Sequence, residues 1–157
     1  MVSFNHTVLV EESEGVRLSA DTFWEILVGK ARNPVRYVPS ITAARVIEDR
    51  GDEFVREIVL RGAFTVRERV RLEPPNRIVF EQLDNPDLAV ITNEIGADEA
   101  GRLTFTFGAV LSPAGLERSR REPGFIAEND LLFYDTARAT VNTTLLYAEL
   151  NQQLIDR

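Results

Sequence analysis

The chain has 157 residues, 44% of them hydrophobic and 27% charged, a composition that predicts one soluble domain over residues 1–157 with a sizeable core. Its net charge of −7 argues against binding to nucleic acid or anionic membranes, and its lack of cysteine excludes disulfides, thiolate nucleophiles and cysteine-bound metals. The N-terminus has no signal-peptide pattern and no apolar run approaches the roughly 20 residues of a membrane span, so we expect a cytoplasmic protein without membrane insertion.

The first part of the chain predicts a strand followed by two short helices. Residues 2–10 are rich in β-branched side chains, which favour a strand. Ser19 has the position of a helix N-cap, and apolar residues continue the helical pattern until Pro34 stops it. The segment PVRYV, residues 34–38, predicts a second short turn or helix that Pro39 closes.

The rest of the chain predicts a strand-rich region and a long final helix. Turn signals separate six further strands, at residues 41–49, 53–61, 63–73, 77–83, 88–97 and 102–111. Their short connections predict antiparallel pairing of sequential neighbours. A loop with room for a short helical turn is expected between Pro113 and Gly124. Residues 125–156 contain no glycine or proline and carry apolar residues at helical spacing, which predicts the helix.

This order of elements resembles the helix-grip (SRPBCC) superfamily of START-type lipid-transfer domains, the birch-pollen allergen and the polyketide aromatase/cyclases. The segments FVREIVLRG, FTVRERV, RIVFEQLD and ITNEI resemble the AtaL-like family of small helix-grip proteins. The resemblance covers essentially the whole chain. It implies an α+β fold in which a seven-stranded antiparallel sheet curls around the long C-terminal helix. It also implies an internal cavity that holds a small apolar or aromatic molecule.

Glu68 interrupts the apolar face of the strand at 63–73, where Phe64, Val66 and Val70 are expected to point inward. A buried carboxylate is costly unless it is paired. A three-residue turn at residues 61–63 would place Arg56 directly opposite Glu68, whereas a two-residue turn would place Glu57 there. We favour Arg56, because two facing glutamates repel each other. The pair then either fixes the strand register or forms part of a ligand site.

Other candidate site residues are expected on the inner face. His6, the only histidine, could act as a general base or be purely structural. Asn93 alternates with inward isoleucines and offers both donors and acceptors, either to a ligand or to the sheet. Five aromatic residues could line a cavity or fill the core: Trp24, Phe105, Phe107, Phe133 and Tyr134. The hydroxyl of Tyr134 must reach water or a partner, so Tyr134 need not share a face with Phe133.

These features favour a small-molecule binding protein in which Arg56, Glu68 and Asn93 orient an apolar or aromatic ligand. The alternative is an enzyme resembling the polyketide cyclases, aromatases or dehydratases. In that case Glu68 would exchange protons and Arg56 would stabilise enolate charge without a cofactor. A third possibility is a module that binds a protein partner. No metal or cofactor is expected, because the sequence contains no cofactor-binding motif and its turn aspartates are simply solvated. The residues alone do not separate these functions.

Overall fold

The structure, a computed structural model, describes residues 2–10 and 18–155. Its elements are β1 (Ser3–Leu9), α1 (Ala20–Arg32), β2 (Ile41–Asp49), β3 (Glu53–Leu60), β4 (Phe64–Glu73), β5 (Arg77–Gln82), β6 (Leu88–Ala97), β7 (Leu103–Leu111), α2 (Pro113–Arg121) and α3 (Phe125–Ile155). The strands form one antiparallel seven-stranded sheet in the order β1-β7-β6-β5-β4-β3-β2. The α+β fold, with a curled sheet and a long C-terminal helix, is therefore confirmed.

Local sequence signals account for the ends of the helices. The Ser19 side chain accepts a hydrogen bond from the backbone N–H of Thr22, as expected for an N-cap. Of the two short helices predicted after the first strand, α1 is present, whereas the PVRYV segment forms a single turn at residues 35–37. Its N–H groups bond back to the Pro34 carbonyl, and Pro39 lacks the N–H that would continue it.

A helix is present where a loop was expected before the final helix. Ser112 caps α2 by accepting a hydrogen bond from the Gly115 N–H, and Pro113 occupies the first turn, where its missing N–H costs nothing. Gly115 packs so closely against Asp87 that an added Cβ would lie 2.0 Å from the Asp87 carbonyl oxygen. Gly115, which suggested a loop, therefore serves close packing inside a helix.

The main core lies between the inner face of the sheet and the two helices α1 and α3. Large buried side chains from the strands include Phe54, Phe80 and Phe105, and α3 contributes Phe133 and Val141. A smaller cluster of Ile41, Ile58 and Val66 lies near the β3–β4 hairpin.

Phe64 corrects one prediction, because its side chain is 67% exposed rather than buried on the inner face. It is the first residue of β4 and pairs with Leu60 next to the turn. The small hydrophobic cluster around Val66 does not extend to it. Alternation gives the side of the sheet on which a side chain lies, but not whether another element covers it.

Candidate functional site

A polar row crosses the inner face of the sheet at the centre of the candidate site. In the β3–β4 register Arg56 is opposite Glu68, and in the β4–β5 register Glu68 is opposite Gln82. The three-residue turn that sets this register is present, with positive φ angles of 52° at Arg61 and 69° at Gly62. The predicted pairing of Arg56 rather than Glu57 with Glu68 is confirmed.

Arg56 and Glu68 form a buried ion pair, with side chains 6% and 1% exposed. Nε and Nη2 of Arg56 both lie 2.7 Å from Oε1 of Glu68. The other carboxylate oxygen, Oε2, accepts a hydrogen bond of 2.5 Å from Nε2 of Gln82. Because both oxygens of Glu68 have protein donors, the carboxylate is held as a fixed acceptor.

Arg56 also links the sheet to the end of α1. Its Nη1 donates to the Ala31 carbonyl at 2.8 Å, and this carbonyl belongs to the last turn of the helix. The final carbonyls of a helix have no intrahelical partner, so the guanidinium satisfies one of them. The ion pair therefore positions the helical turn that carries Lys30.

Lys30 brings a second cation into the same region, and only 5% of this residue is exposed. Its Nζ donates to Oδ1 of Asn93 at 2.7 Å. It also lies 5.9 Å from the ring centroids of both Phe80 and Phe105. Arg56 lies against the same Phe80 ring, with its Cζ 4.7 Å from the centroid. We call Lys30, Arg56, Glu68, Gln82 and Asn93 the buried polar cluster.

The charges of this cluster do not balance when Lys30 is protonated, because two cations then face one carboxylate. Burial, and to a lesser extent the positive charge of Arg56, lower the pKa of Lys30 from 10.5 to about 7, while the charge of Glu68 opposes the shift. At neutral pH the amine is therefore present in both its charged and its neutral form.

Asn93 has a donor without a protein partner among the described residues. Its residue is 1% exposed, its Oδ1 faces the Lys30 amine, and its Nδ2 makes no hydrogen bond. An ammonium can only donate, so the carbonyl side of the amide must face Lys30 and the NH₂ group must point elsewhere. Buried polar groups are normally satisfied, which makes this free donor a candidate contact for a ligand.

The remaining predicted site residues do not join this cluster. His6 shares the inner face with Phe4 and Val8, but its Nε2 bonds to Asp130 Oδ1 at 2.8 Å, and its ring packs edge-on against Tyr134 at 5.7 Å. Tyr134 is 43% exposed, so it does not share a face with the buried Phe133.

The predicted aromatic residues mostly pack against one another or against the core. Phe133 contacts Phe4 and Phe107, with ring centroids 5.2 and 5.4 Å apart. Trp24 is partly buried and packs against the main core. Phe105 is fully buried, and among the five aromatic residues predicted from the sequence it is the one whose ring lies near the Lys30 amine.

Lys30 and Gln82 were not among the predicted site residues, although the sequence carries a signal for each of them. Phe23, Leu27 and Lys30 recur at helical spacing, which places the lysine on the buried face of α1. Lys30 is also the only lysine among the 18 lysine and arginine residues of the chain. Gln82 alternates with the buried Ile78 and Phe80 along its strand, which places its side chain on the inner face of the sheet.

A row of threonines on α3 was missed as well. Thr136, Thr140 and Thr144 are spaced by four residues and are all buried. The hydroxyls of Thr136 and Thr140 donate to carbonyls one turn earlier, at 2.9 Å each, whereas Thr144 Oγ1 has no partner among the described residues. Thr144 Oγ1 and Asn93 Nδ2 are therefore buried side-chain polar atoms without a hydrogen-bond partner among the described residues.

An open cleft of about 1040 Å³ lies elsewhere on the molecule. It is lined by residues from the end of β1, the start of α1 and the β6–β7 hairpin: Leu9, Val10, Leu18, Ala20, Gly96, Ala97, Gly101, Arg102 and Leu103. Ala20 begins α1 and Lys30 lies in its last turn, so the cleft and the buried polar cluster lie at opposite ends of this helix.

Within residues 2–10 and 18–155, no group of three or more histidine, cysteine, aspartate or glutamate side chains is arranged to hold a metal ion. No helix in the described part of the chain is long and apolar enough to cross a membrane.

Comparison with known proteins gives one family match and several similar folds. The family model for acetylaranotin biosynthesis cluster protein L, AtaL, matches residues 3–139. No curated protein matches the chain in sequence. The Zhui aromatase/cyclase from Streptomyces sp. R1128 is 22% identical with a TM-score of 0.62, and the match covers 94% of this chain and 93% of that chain.

Two further structures show the range of the fold. The di-domain ARO/CYC StfQ from the steffimycin biosynthetic pathway is 16% identical with a TM-score of 0.63, over 96% of this chain and 52% of that chain. Ara h 8.0201 is 10% identical with a TM-score of 0.56, over 92% of this chain and 97% of that chain. At these identities the likeness establishes a shared helix-grip fold.

Proposed function

The chain belongs to the AtaL family, and we propose that it binds a small apolar or aromatic molecule whose acidic or carbonyl oxygen contacts the buried polar cluster. The observation that carries this proposal is the burial of two basic side chains, Lys30 and Arg56, in a cluster that contains a single carboxylate, Glu68. An anionic oxygen would balance the second cation. The Nδ2 group of Asn93, which has no partner among the described residues, would donate a hydrogen bond to the same oxygen.

The surroundings of the cluster suit an apolar ligand. Phe80 and Phe105 lie against the Lys30 amine, so a bound molecule would meet aromatic rings beside the charged groups. Ligand sites in proteins commonly combine apolar walls with a few polar groups that fix orientation. The family description and the ARO/CYC structures refer to small-molecule biosynthesis, which is consistent with such a ligand.

A second candidate function is cofactor-free enzyme chemistry, with a different acid–base group from the one expected from sequence. Glu68 is a poor proton carrier because both of its oxygens already accept hydrogen bonds. Lys30 is the better candidate, since its pKa of about 7 suits proton exchange at neutral pH. Arg56 would still contribute positive charge near an enolate.

A protein-partner function has less support. The exposed large apolar residues of α3 are two pairs one turn apart, Leu131 with Tyr134 and Leu146 with Leu150, and the separate Ile126. Scattered exposed apolar residues of this kind are common on monomers. The described surface therefore offers no broad apolar face as an argument for this alternative.

A fluorescence titration with 8-anilinonaphthalene-1-sulfonate tests the proposed function. The sulfonate stays ionised across the pH range, so any pH dependence comes from the protein. We expect the affinity to be about tenfold weaker at pH 8.5 than at pH 6, because an anion binds best when Lys30 is protonated. In the Lys30→Met variant the tight binding and its pH dependence should both be lost.

Arg71→Met is the matched control, because it removes one positive charge from an exposed side chain of β4. It should bind the probe like the wild type. If Lys30→Met also binds like the wild type, with an unchanged pH dependence, the cluster is not the binding site and the proposal is wrong. A native mass spectrum of the purified protein would add the mass of any ligand that co-purifies.

A further inference from the structure

The choice of lysine at position 30 is unusual for this chain. Apart from His6, every other basic residue is arginine, including the buried Arg56. Arginine cannot lose its proton in a protein, whereas a lysine in an apolar environment readily becomes a neutral amine. A neutral amine is a nucleophile, and desolvation beside another cation is a known way to activate it. Position 30 therefore holds the one side chain of this protein able to supply amine chemistry.

The geometry around Lys30 matches that role. Among the described residues the amine has one hydrogen-bond partner, Oδ1 of Asn93 at 2.7 Å, and it otherwise faces the rings of Phe80 and Phe105. The charged groups that act on it are Arg56 on β3, which disfavours the protonated form, and Glu68 on β4, which favours it. Because Glu68 is already paired with Arg56, it does not form a direct salt bridge with Lys30.

We propose that the Lys30 amine forms a Schiff base with an aldehyde or ketone group of an apolar molecule bound at the buried polar cluster. The inference rests on the proposed function, because the carbonyl compound must first bind there. Lys30 would be the catalytic residue, since its nitrogen bonds to the reacting carbon. Arg56 would be a positioning residue, because it holds the last turn of α1 through the Ala31 carbonyl and acts on the amine by its charge.

The step needs no oxidant, reductant or cofactor. The amine nitrogen attacks the carbonyl carbon, and one proton moves from nitrogen to oxygen to give a carbinolamine. The second proton of the nitrogen is then transferred to the hydroxyl oxygen, the C–O bond breaks, and water leaves while the C=N bond forms. The free Nδ2 donor of Asn93 lies on the amide next to the amine, where it could hydrogen-bond the carbonyl oxygen during attack.

Reductive trapping with 2-naphthaldehyde and sodium cyanoborohydride tests the proposal on the whole protein. The reductant converts an imine into a stable secondary amine, which intact-mass measurement and peptide mapping locate. The chain has two kinds of amine, Lys30 and the N-terminal α-amine. We expect rapid native labelling of the peptide that contains Lys30 at pH 7, and slower labelling of the N-terminus.

Two variants separate chemistry from folding. Lys30→Arg retains a positive charge but cannot form an imine, so labelling should be confined to the N-terminus. Asn93→Asp places a carboxylate beside the amine and favours its protonated form, so Lys30 labelling at pH 7 should fall at least tenfold and recover as the pH rises. A loss that does not recover with pH would contradict the proposed role of the neutral amine. Circular dichroism checks that both variants fold.

The outcomes distinguish this inference from the proposed function. If naphthaldehyde displaces the anilinonaphthalene sulfonate but labels only the N-terminus, the molecule binds without covalent chemistry; the Schiff-base proposal is then wrong and the proposed function stands. Both proposals fail if naphthaldehyde neither displaces the probe nor labels Lys30, and if the probe binds Lys30→Met as it binds the wild type. Labelling of Lys30 in the folded protein that is lost on prior saturation with the probe supports both.

Discussion

The Arg56 guanidinium and the Glu68 carboxylate face each other directly across β3 and β4 and are almost fully withdrawn from water. Removing one partner of such a pair leaves an uncompensated buried charge. We therefore expect Glu68→Gln to lower the free energy of unfolding by about 3–5 kcal/mol. Urea denaturation of the variant and the wild type measures this difference.

Two controls accompany that prediction. The double variant Arg56→Met/Glu68→Leu should lose less stability than Glu68→Gln, because it leaves neither charge unpaired. Glu81→Gln removes the partner of Arg69 in an exposed pair of the neighbouring strands, and it should cost about 1 kcal/mol or less. Equal losses for Glu68→Gln and Glu81→Gln would show that burial of the pair has no energetic consequence.

Lys30 should make the stability of the protein depend on pH. Its pKa is 10.5 in the unfolded chain and about 7 in the folded protein, so between these values the unfolded state binds more protons. The free energy of unfolding therefore rises with pH in this window. Below pH 7 the folded protein bears the full cost of burying the protonated amine. Relative to Lys30→Met, the wild type should gain a few kcal/mol between roughly pH 7 and pH 10.

The measurement for Lys30 is the free energy of unfolding of both proteins across that range. The variant cancels the contribution of other titrating groups, including the tyrosines. A constant difference between wild type and Lys30→Met would mean that the lysine keeps its ordinary pKa and is not desolvated in solution.

The threonine row on α3 allows a closely matched comparison. Thr144→Val removes a buried hydroxyl that has no partner among the described residues, so the free energy of unfolding should stay the same or rise by about 1 kcal/mol. Thr140→Val removes a hydroxyl that donates to the Thr136 carbonyl, and it should lower stability by about 0.5–1 kcal/mol. Thermal and urea denaturation measure both variants. If Thr144→Val lowered the free energy of unfolding more than Thr140→Val does, the Thr144 hydroxyl would have an essential structural hydrogen bond.

Phe133 and Tyr134 test whether the aromatic residues of α3 belong to the core. Phe133 contacts Phe4 and Phe107, so Phe133→Ala should cost about 3–5 kcal/mol. Tyr134 is 43% exposed, and Tyr134→Ala should cost about 1 kcal/mol or less. A small loss for Phe133→Ala, measured by urea denaturation, would indicate that its ring lines open space instead of packing.

Much of the fold could be predicted because local signals agreed with one another. The strand periods, the turn residues and the capping serine all specify the same elements, and the repulsion between Glu57 and Glu68 selected the correct hairpin register. Phe64 was predicted wrongly because alternation assigns a face of the sheet but carries no information about coverage by other elements. Where α2 lies, the glycines and prolines predicted a loop with room for a short helical turn, because the sequence does not show that Gly115 serves close packing inside a helix.

The site was harder to predict than the fold. Arg56 and Glu68 could be paired from their positions on adjacent strands. Lys30 joins them from α1, which comes before both strands in the chain. No local sequence pattern predicts which residues of a sheet the face of a helix will contact. Asn93 was a candidate from its alternation, but its bond to Lys30 depends on how α1 crosses the sheet.

Because the only lysine is buried, proteolysis at this residue can measure local opening of the protein. A protease specific for lysine has one site in the chain, in the last turn of α1, and cannot cut there while the turn is packed against the sheet. Cleavage under native conditions therefore reports how often that turn opens. The same opening would expose Lys30 to a molecule entering the site, so a single proteolytic rate measures access to the buried amine.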